Sequence, residues 1–143
     1  MFYHDGVLAK ITAYKVYPAA QVRTSNDDKK HPAIEIYYSV YNLSSDSIVA
    51  DDVFFDYFIA VQNNDPNVTT PLNGCSGFVW LSNVMLGFDE GADHSIEPGG
   101  VGQGVYNYDL SDSTTPVKLM AYKTDQMASS SEAPIGSILL KIQ

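Results

Sequence analysis

Apolar and polar residues alternate along several separate stretches of this chain. Val7, Ala9, Ile11 and Ala13 are interleaved with Lys10 and Thr12, the period of two that buries one face of a strand, and this predicts a first strand over residues 7–16. A charged loop runs from Arg23 to Pro32, where proline is tolerated only at the start or edge of the next strand. Ile34, Ile36, Tyr38 and Val40 then form one wholly apolar face, against Glu35, Tyr37, Ser39 and Tyr41 on the other. That strand ends at Asn42, ahead of the turn-forming Ser44, Ser45, Asp46 and Ser47. The next run, Val53 to Gln62, reads as a third strand with Val53, Phe55, Tyr57, Ile59 and Val61 on one side and Phe54, Asp56 and Phe58 on the other.

Asn63 to Gly77 is rich in Asn, Pro, Thr and Gly and reads as a long connection, with the short apolar run Phe78 to Leu81 after it. Asp89 to Gly100 reads as a loop closed by Pro98, Gly99 and Gly100, where proline presets one backbone angle and glycine permits positive φ in a tight turn. Strands are predicted over Val101–Leu110, then around Val117, Leu119 and Ala121, and finally around Ile138, Leu140 and Ile142. No stretch carries helical period with start and stop caps, the nearest being Lys123 to Glu132. The expectation is one all-β domain over residues 1–143, a two-sheet antiparallel sandwich of about seven strands.

Composition agrees with sheet: ten Tyr and six Phe accompany many Val and Ile. The formal net charge is −9 with basic residues scattered, which excludes the electrostatic footprint of a nucleic-acid binder. The single Cys75 excludes an internal disulfide, and no run approaches the roughly 20 apolar residues of a membrane span. The N-terminus lacks a basic segment leading into an apolar one, so an exported protein would have lost its signal or lipid anchor upstream.

The order of features carries a resemblance. A strand ending in Asn42 with a Ser/Asp turn is succeeded by a Phe/Tyr-rich run, by Ile96-Glu97-Pro98-Gly99-Gly100 leading into Val105-Tyr106-Asn107-Tyr108-Asp109-Leu110, and by Pro116-Val117-Lys118-Leu119. Over residues 33–122 this resembles uncharacterised immunoglobulin-like domains of secreted proteins and lipoproteins from Gram-positive bacteria, similar in fold to a mycobacterial secreted immunoglobulin-like antigen. The resemblance implies an immunoglobulin-like sandwich, an extracellular or cell-surface location and no established enzymatic activity. The Pro-Gly turn and the short loop before Val117 further suggest that the last three strands form a meander.

Candidate chemistry is sparse. His4, His31 and His94 lack the close spacing of a zinc motif, and Ser76 beside Cys75 has no recognisable base. If any metal binds, the loop residues Asp89, Glu90 and Asp93 are the first candidates, although their spacing is not that of an EF-hand. Asp46, Asp51, Asp52 and Asp56 form a second acidic group without ligand spacing. Gly99, Gly100, Gly102 and Gly104 precede a strand rather than a helix, so they mark a bulge or close packing and not a phosphate loop. No metal or other cofactor is expected. The binding candidates are Tyr37 and Tyr41 with Phe54 and Phe58, which would form one outward aromatic face across two strands. The expected function is therefore a non-catalytic module of an exported bacterial protein that contacts a protein or cell-wall component, with a homodimer the simplest partner for such a face. A small hydrolase or metal-dependent enzyme with a loop-built site, and a structural sandwich domain of a phage or secretion particle, are the alternatives.

Overall fold

In the structure, a computed structural model, residues 2–4, 6–18, 32–62, 71–72, 95–122 and 135–142 are described, with the side chains of 4, 51 and 54–56 outside that description. The elements run β1 (Phe2–His4), β2 (Val7–Tyr17), β3 (Ala33–Asn42), β4 (Ile48–Val49), α1 (Ala50–Tyr57), β5 (Phe58–Val61), β6 (Ser95–Ile96), β7 (Val101–Asp109), β8 (Val117–Ala121) and β9 (Gly136–Leu140). One sheet has the order β1-β2-β3-β7, a second the order β5-β8-β9, and β4 and β6 make a two-stranded ladder. All pairings among them are antiparallel. The sandwich expected from alternation is the fold that forms.

The core is built as the pattern of β3 dictates. Ile34, Ile36, Tyr38 and Val40 are completely buried and meet Leu119, Ala121 and Leu140 of the second sheet. Tyr38 needs room on its neighbour: it pairs with Gly104 of β7, where any Cβ would overlap its ring. Gly102, two residues earlier, makes the same allowance for Ile96 of β6. These glycines serve close packing, one of the two roles, a bulge or close packing, that their position in a strand implied.

Two buried amides tie the loops to this core. The Asn42 Nδ2 group donates to the carbonyls of Asp46 (2.7 Å) and Ile96 (2.8 Å), while its Oδ1 accepts from the backbone N–H (3.0 Å) and hydroxyl (2.6 Å) of Ser44. The Asn42 backbone bonds Gly100 and Gly99, holding the Pro98-Gly99 turn, in which Gly99 has φ of 85° and the Gly100 N–H donates to the Glu97 carbonyl, as in a type II turn. Gln62 repeats the device, donating to the carbonyls of Asp112 and Thr115 and accepting from the N–H of Ser111. Every hydrogen-bonding site of these buried side chains is thereby used or nearly so, which is the condition for burying an amide without large cost.

Several local expectations are corrected. Residues 50–57 form a helix, so the third strand shrinks to Phe58–Val61. Ala50, Val53 and Tyr57 are spaced i, i+3, i+7 and all pack on the core, a helical face that coexists with the period of two in so apolar a run. In the strand after it Phe58 and Ala60 join the core cluster, whereas Ile59 is half-buried and Val61 is buried outside that cluster. In β2 a bulge between Ile11 and Ala13 leaves Ala13 exposed and hands the core face to Val16. The last three strands make no meander, because β7 pairs with β3 while β8 and β9 lie in the other sheet. Residues 89–100 are not wholly loop, since Ser95–Ile96 pair with β4. The connection at 63–77, apart from residues 71–72, and the apolar run 78–81, Cys75 and the segment 123–132 lie outside the described residues.

Truncating Ile36 to Ala is expected to lower stability by about 2 to 5 kcal/mol, the usual cost of a large-to-small change in a packed core. A urea melt that moves by less than about 0.5 kcal/mol would show that the β3 register is wrong.

Candidate functional site

The four aromatic residues expected to share an outward face are separated. Tyr37 and Tyr41 lie on β3 of the first sheet, Tyr37 buried and Tyr41 half-buried. Phe58 is buried on β5 of the second sheet, and Phe54 belongs to α1 with its side chain outside the described residues. β3 pairs with β2 and β7 and not with β5, so Tyr37 and Tyr41 share no sheet face with Phe58.

The second face of β3 is not a solvated one. Glu35 is fully buried, with both carboxylate oxygens lacking a hydrogen-bond partner among the described residues. In register it is flanked by Lys15 of β2 and Asn107 of β7, and the Lys15 ammonium stands 4.8 Å over the ring centre of Tyr17. Burial pushes the Glu35 carboxyl up to about 7, with the nearby Lys15 charge pulling the other way. Burial likewise raises the Tyr108 hydroxyl, with Tyr106 and Tyr38 adding to the effect.

A cleft opens where the two sheets part. It encloses about 110 Å³ and is walled by Phe2, Tyr3, Val7 and Ala9 of the first two strands and by Val53 and Tyr57 of the helix. Phe58, Ala121 and Tyr122 line it from the second sheet, and Ile135 stands ahead of β9. Phe58 meets Phe2 edge to face at 5.3 Å and 82°, a preferred aromatic geometry. Helix α1 builds this wall, since Val53 and Tyr57, spaced i, i+4, lie one turn apart on the same helical face. A neighbouring groove of about 370 Å³ shares Phe2, Tyr3 and Ile135 and extends along Gly136, Ser137 and Ile138. Among the described residues, none that lines the cleft carries a carboxylate, imidazole or thiol, and the polar atoms that these side chains offer are tyrosine hydroxyls. Such a lining suits the capture of an apolar group by contact area, with a hydroxyl for orientation.

Of this site, only Phe58 was singled out from the sequence. The signal for Phe2 and Tyr3 lay in Asp5-Gly6, a hairpin dipeptide between them and Val7, and Gly6 does adopt φ of 81°. Asp89, Glu90, Asp93, His31 and His94 lie outside the described residues, as does the side chain of His4. Among the described residues no group of three or more His, Cys, Asp or Glu side chains converges as a metal site, and no helix is long and apolar enough to cross a membrane.

Residues 5–123 match the model of a family described as a domain of unknown function, DUF5067. The chain belongs to the DUF5067 family. Its fold is similar to that of a predicted lipoprotein from Staphylococcus aureus, with a TM-score of 0.73 at 18% identity over 96% of this chain and 84% of that one. A protein from Enterococcus faecalis is similar with a TM-score of 0.60 at 20% identity, covering 96% and 86% of the two chains. The yjhA protein of Bacillus subtilis is similar with a TM-score of 0.59 at 14% identity, covering 99% and 95%. A search of curated proteins returns no match. The sandwich of this DUF5067 chain is thus shared with proteins of Gram-positive bacteria, as the resemblance in its sequence implied.

The ionisation of Glu35 makes stability depend on pH. Between its ordinary value of 4.5 and the folded value of about 7, the unfolded chain releases this proton and the native chain keeps it, so stability falls as pH rises through that window and levels off above it. Glu35→Gln is expected to flatten this slope and to be more stable than wild type at about pH 8 by up to about 3 kcal/mol. Urea melts of both proteins at about pH 5 and about pH 8 check this, and an equal slope in the two would remove Glu35 as its source.

Proposed function

We propose that this domain is a non-catalytic, immunoglobulin-like binding module of an exported bacterial protein, and that the cleft between its sheets receives an apolar group of a protein or cell-wall partner. The observation that carries the reading is the aromatic and aliphatic surface of the cleft, whose described residues include no acid, base or thiol of the kind hydrolytic chemistry would require. Fold likeness to a predicted lipoprotein supports display at the cell surface. Sheet switching between β3 and β5, and again between β7 and β8, supports the immunoglobulin-like description.

Toluene is a suitable probe of the cleft. Titration into the domain is expected to give saturable shifts in the methyl signals of Val7, Val53 and Ile135, and Val53→Phe, which fills the opening, is expected to abolish them while the fold persists. Shifts that do not saturate, or that survive in Val53→Phe, would remove the cleft as a binding site. Surface protease treatment of cells producing the full-length protein tests display: a protein wholly protected in intact cells and found in the cytosol would remove the exported reading.

A further inference from the structure

The outer surface of the second sheet carries a charge pattern unlike that of the chain as a whole. Leu119, Ala121, Leu140 and Ile142 turn into the core, so alternation sends Lys118, Met120, Ser137, Leu139 and Lys141 outward. Lys118 stands directly opposite Leu139, and Lys141 follows Leu139 by two residues. The two lysines are thus diagonal neighbours, on the order of 7 Å apart at Cβ. Both are exposed, and neither meets an acid among the described residues. Asp112, the nearest described acid along the chain from Lys118, spends its carboxylate on the N–H and hydroxyl groups of Thr114 and Thr115. Two unanswered cations this close repel each other, and a carboxylate placed beside both relieves that repulsion. At physiological ionic strength charges are screened beyond about 8 Å, so these lysines, and not the net charge of −9, set the field here.

The lysines flank a strand edge. Among the described residues β9 is the outermost strand of its sheet and β1 that of the first. They approach closely enough that a Cβ on Gly136 would press on the Phe2 ring at 2.9 Å. The Ala121 carbonyl accepts the Ile135 N–H at 2.8 Å, so alternation turns Ala121 and Leu119 toward their β9 partners Gly136 and Ile138. Ser137 and Leu139 therefore direct their N–H and C=O groups away from β8. The Tyr14 hydroxyl engages the Lys141 carbonyl at 3.1 Å and closes that series. Backbone donors and acceptors at such an edge are met by another polypeptide strand. A residue that bonds Leu139 in this way sets its side chain on the outer face, in the row of Lys118 and diagonal to Lys141. The next residue, beside Ile138, points to the opposite face, into the groove of about 370 Å³ by Phe2 and Ile135.

We propose that β9 accepts an extended segment of another protein in which acidic and apolar residues alternate, with Lys118 and Lys141 reading the acids on the outer face. This rests on reading the domain as a binding module and names the chemistry of its partner. The local charges select this occupant over a second copy. A copy pairing through β9 would present Ser137, Leu139 and Lys141 in its outward series, bringing further lysine and no carboxylate.

The test uses the full chain and three blocked hexapeptides: alternating Glu and Val, alternating Lys and Val, and the Glu/Val peptide N-methylated at its Glu residues. The Glu/Val peptide is expected to bind saturably, to bind more tightly at low salt and to slow hydrogen exchange at the Ser137 and Leu139 amides. The Lys/Val peptide is expected to bind about tenfold more weakly. Lys118→Glu combined with Lys141→Glu is expected to reverse that order. N-methylation keeps the charges and removes the donors, so it is expected to weaken binding by a similar factor, a result that does not depend on the double variant folding. Equal affinity for the Glu/Val and Lys/Val peptides, an order unchanged in the double variant, or no saturable binding would overturn the proposal. Undiminished binding of the N-methylated peptide would do so as well, since the lysines would then be holding any anionic polymer by charge alone. Toluene binding without peptide binding would remove strand addition and leave the cleft, whereas peptide binding without toluene binding would do the reverse.

Discussion

Burial of β3 on both faces is the constraint on which the rest of the molecule depends. A strand with Ile34, Ile36, Tyr38 and Val40 fully buried on one side and Glu35 and Ser39 buried on the other must sit between neighbours and between layers. β2 and β7 supply the neighbours, and the second sheet with α1 supplies one of the layers. The choice of glycine at 102 and 104 in β7 has the same origin, because the large Tyr38 and Ile96 occupy the space where side chains would otherwise stand.

Such a core fixes the loops only if their polar groups are answered. Asn42 and Gln62 do this at opposite ends of the fold, each satisfying backbone groups that come from residues about 50 positions away in sequence. Asn42 lies where β3 ends and both glycine turns meet, since it bonds Gly99 and Gly100 while its neighbour Leu43 donates to the carbonyl of Gly6. Glu35 departs from this economy. Its carboxylate lacks a hydrogen-bond partner among the described residues, and its affinity for a proton rises accordingly.

The cleft arises where the packing is incomplete. Two sheets of unequal extent leave β1 and β9 as edges, and the short helix α1 bridges their ends with Val53 and Tyr57 facing the gap. Function is read from this gap and its lining, while the sandwich itself is common to proteins of many activities.

By itself the sequence determined the fold class, the β3 strand with its core face and the Pro98-Gly99 turn, and it narrowed Gly102 and Gly104 to a bulge or close packing. Each of these depends on local periodicity or on the stereochemistry of one or two residues, which any context preserves. Residues 50–61 show where that legibility stops: their apolar positions satisfy period two and helical spacing at once, and only contact with β4, β5 and β7 selects a helix. The bulge in β2 is equally silent, because one extra residue shifts the register without leaving a mark in composition. The sheet to which β8 and β9 belong, the inward turn of Phe58 and the meeting of Phe2 with Gly136 were decided by tertiary structure, since each joins residues far apart in the chain through packing that no local pattern encodes.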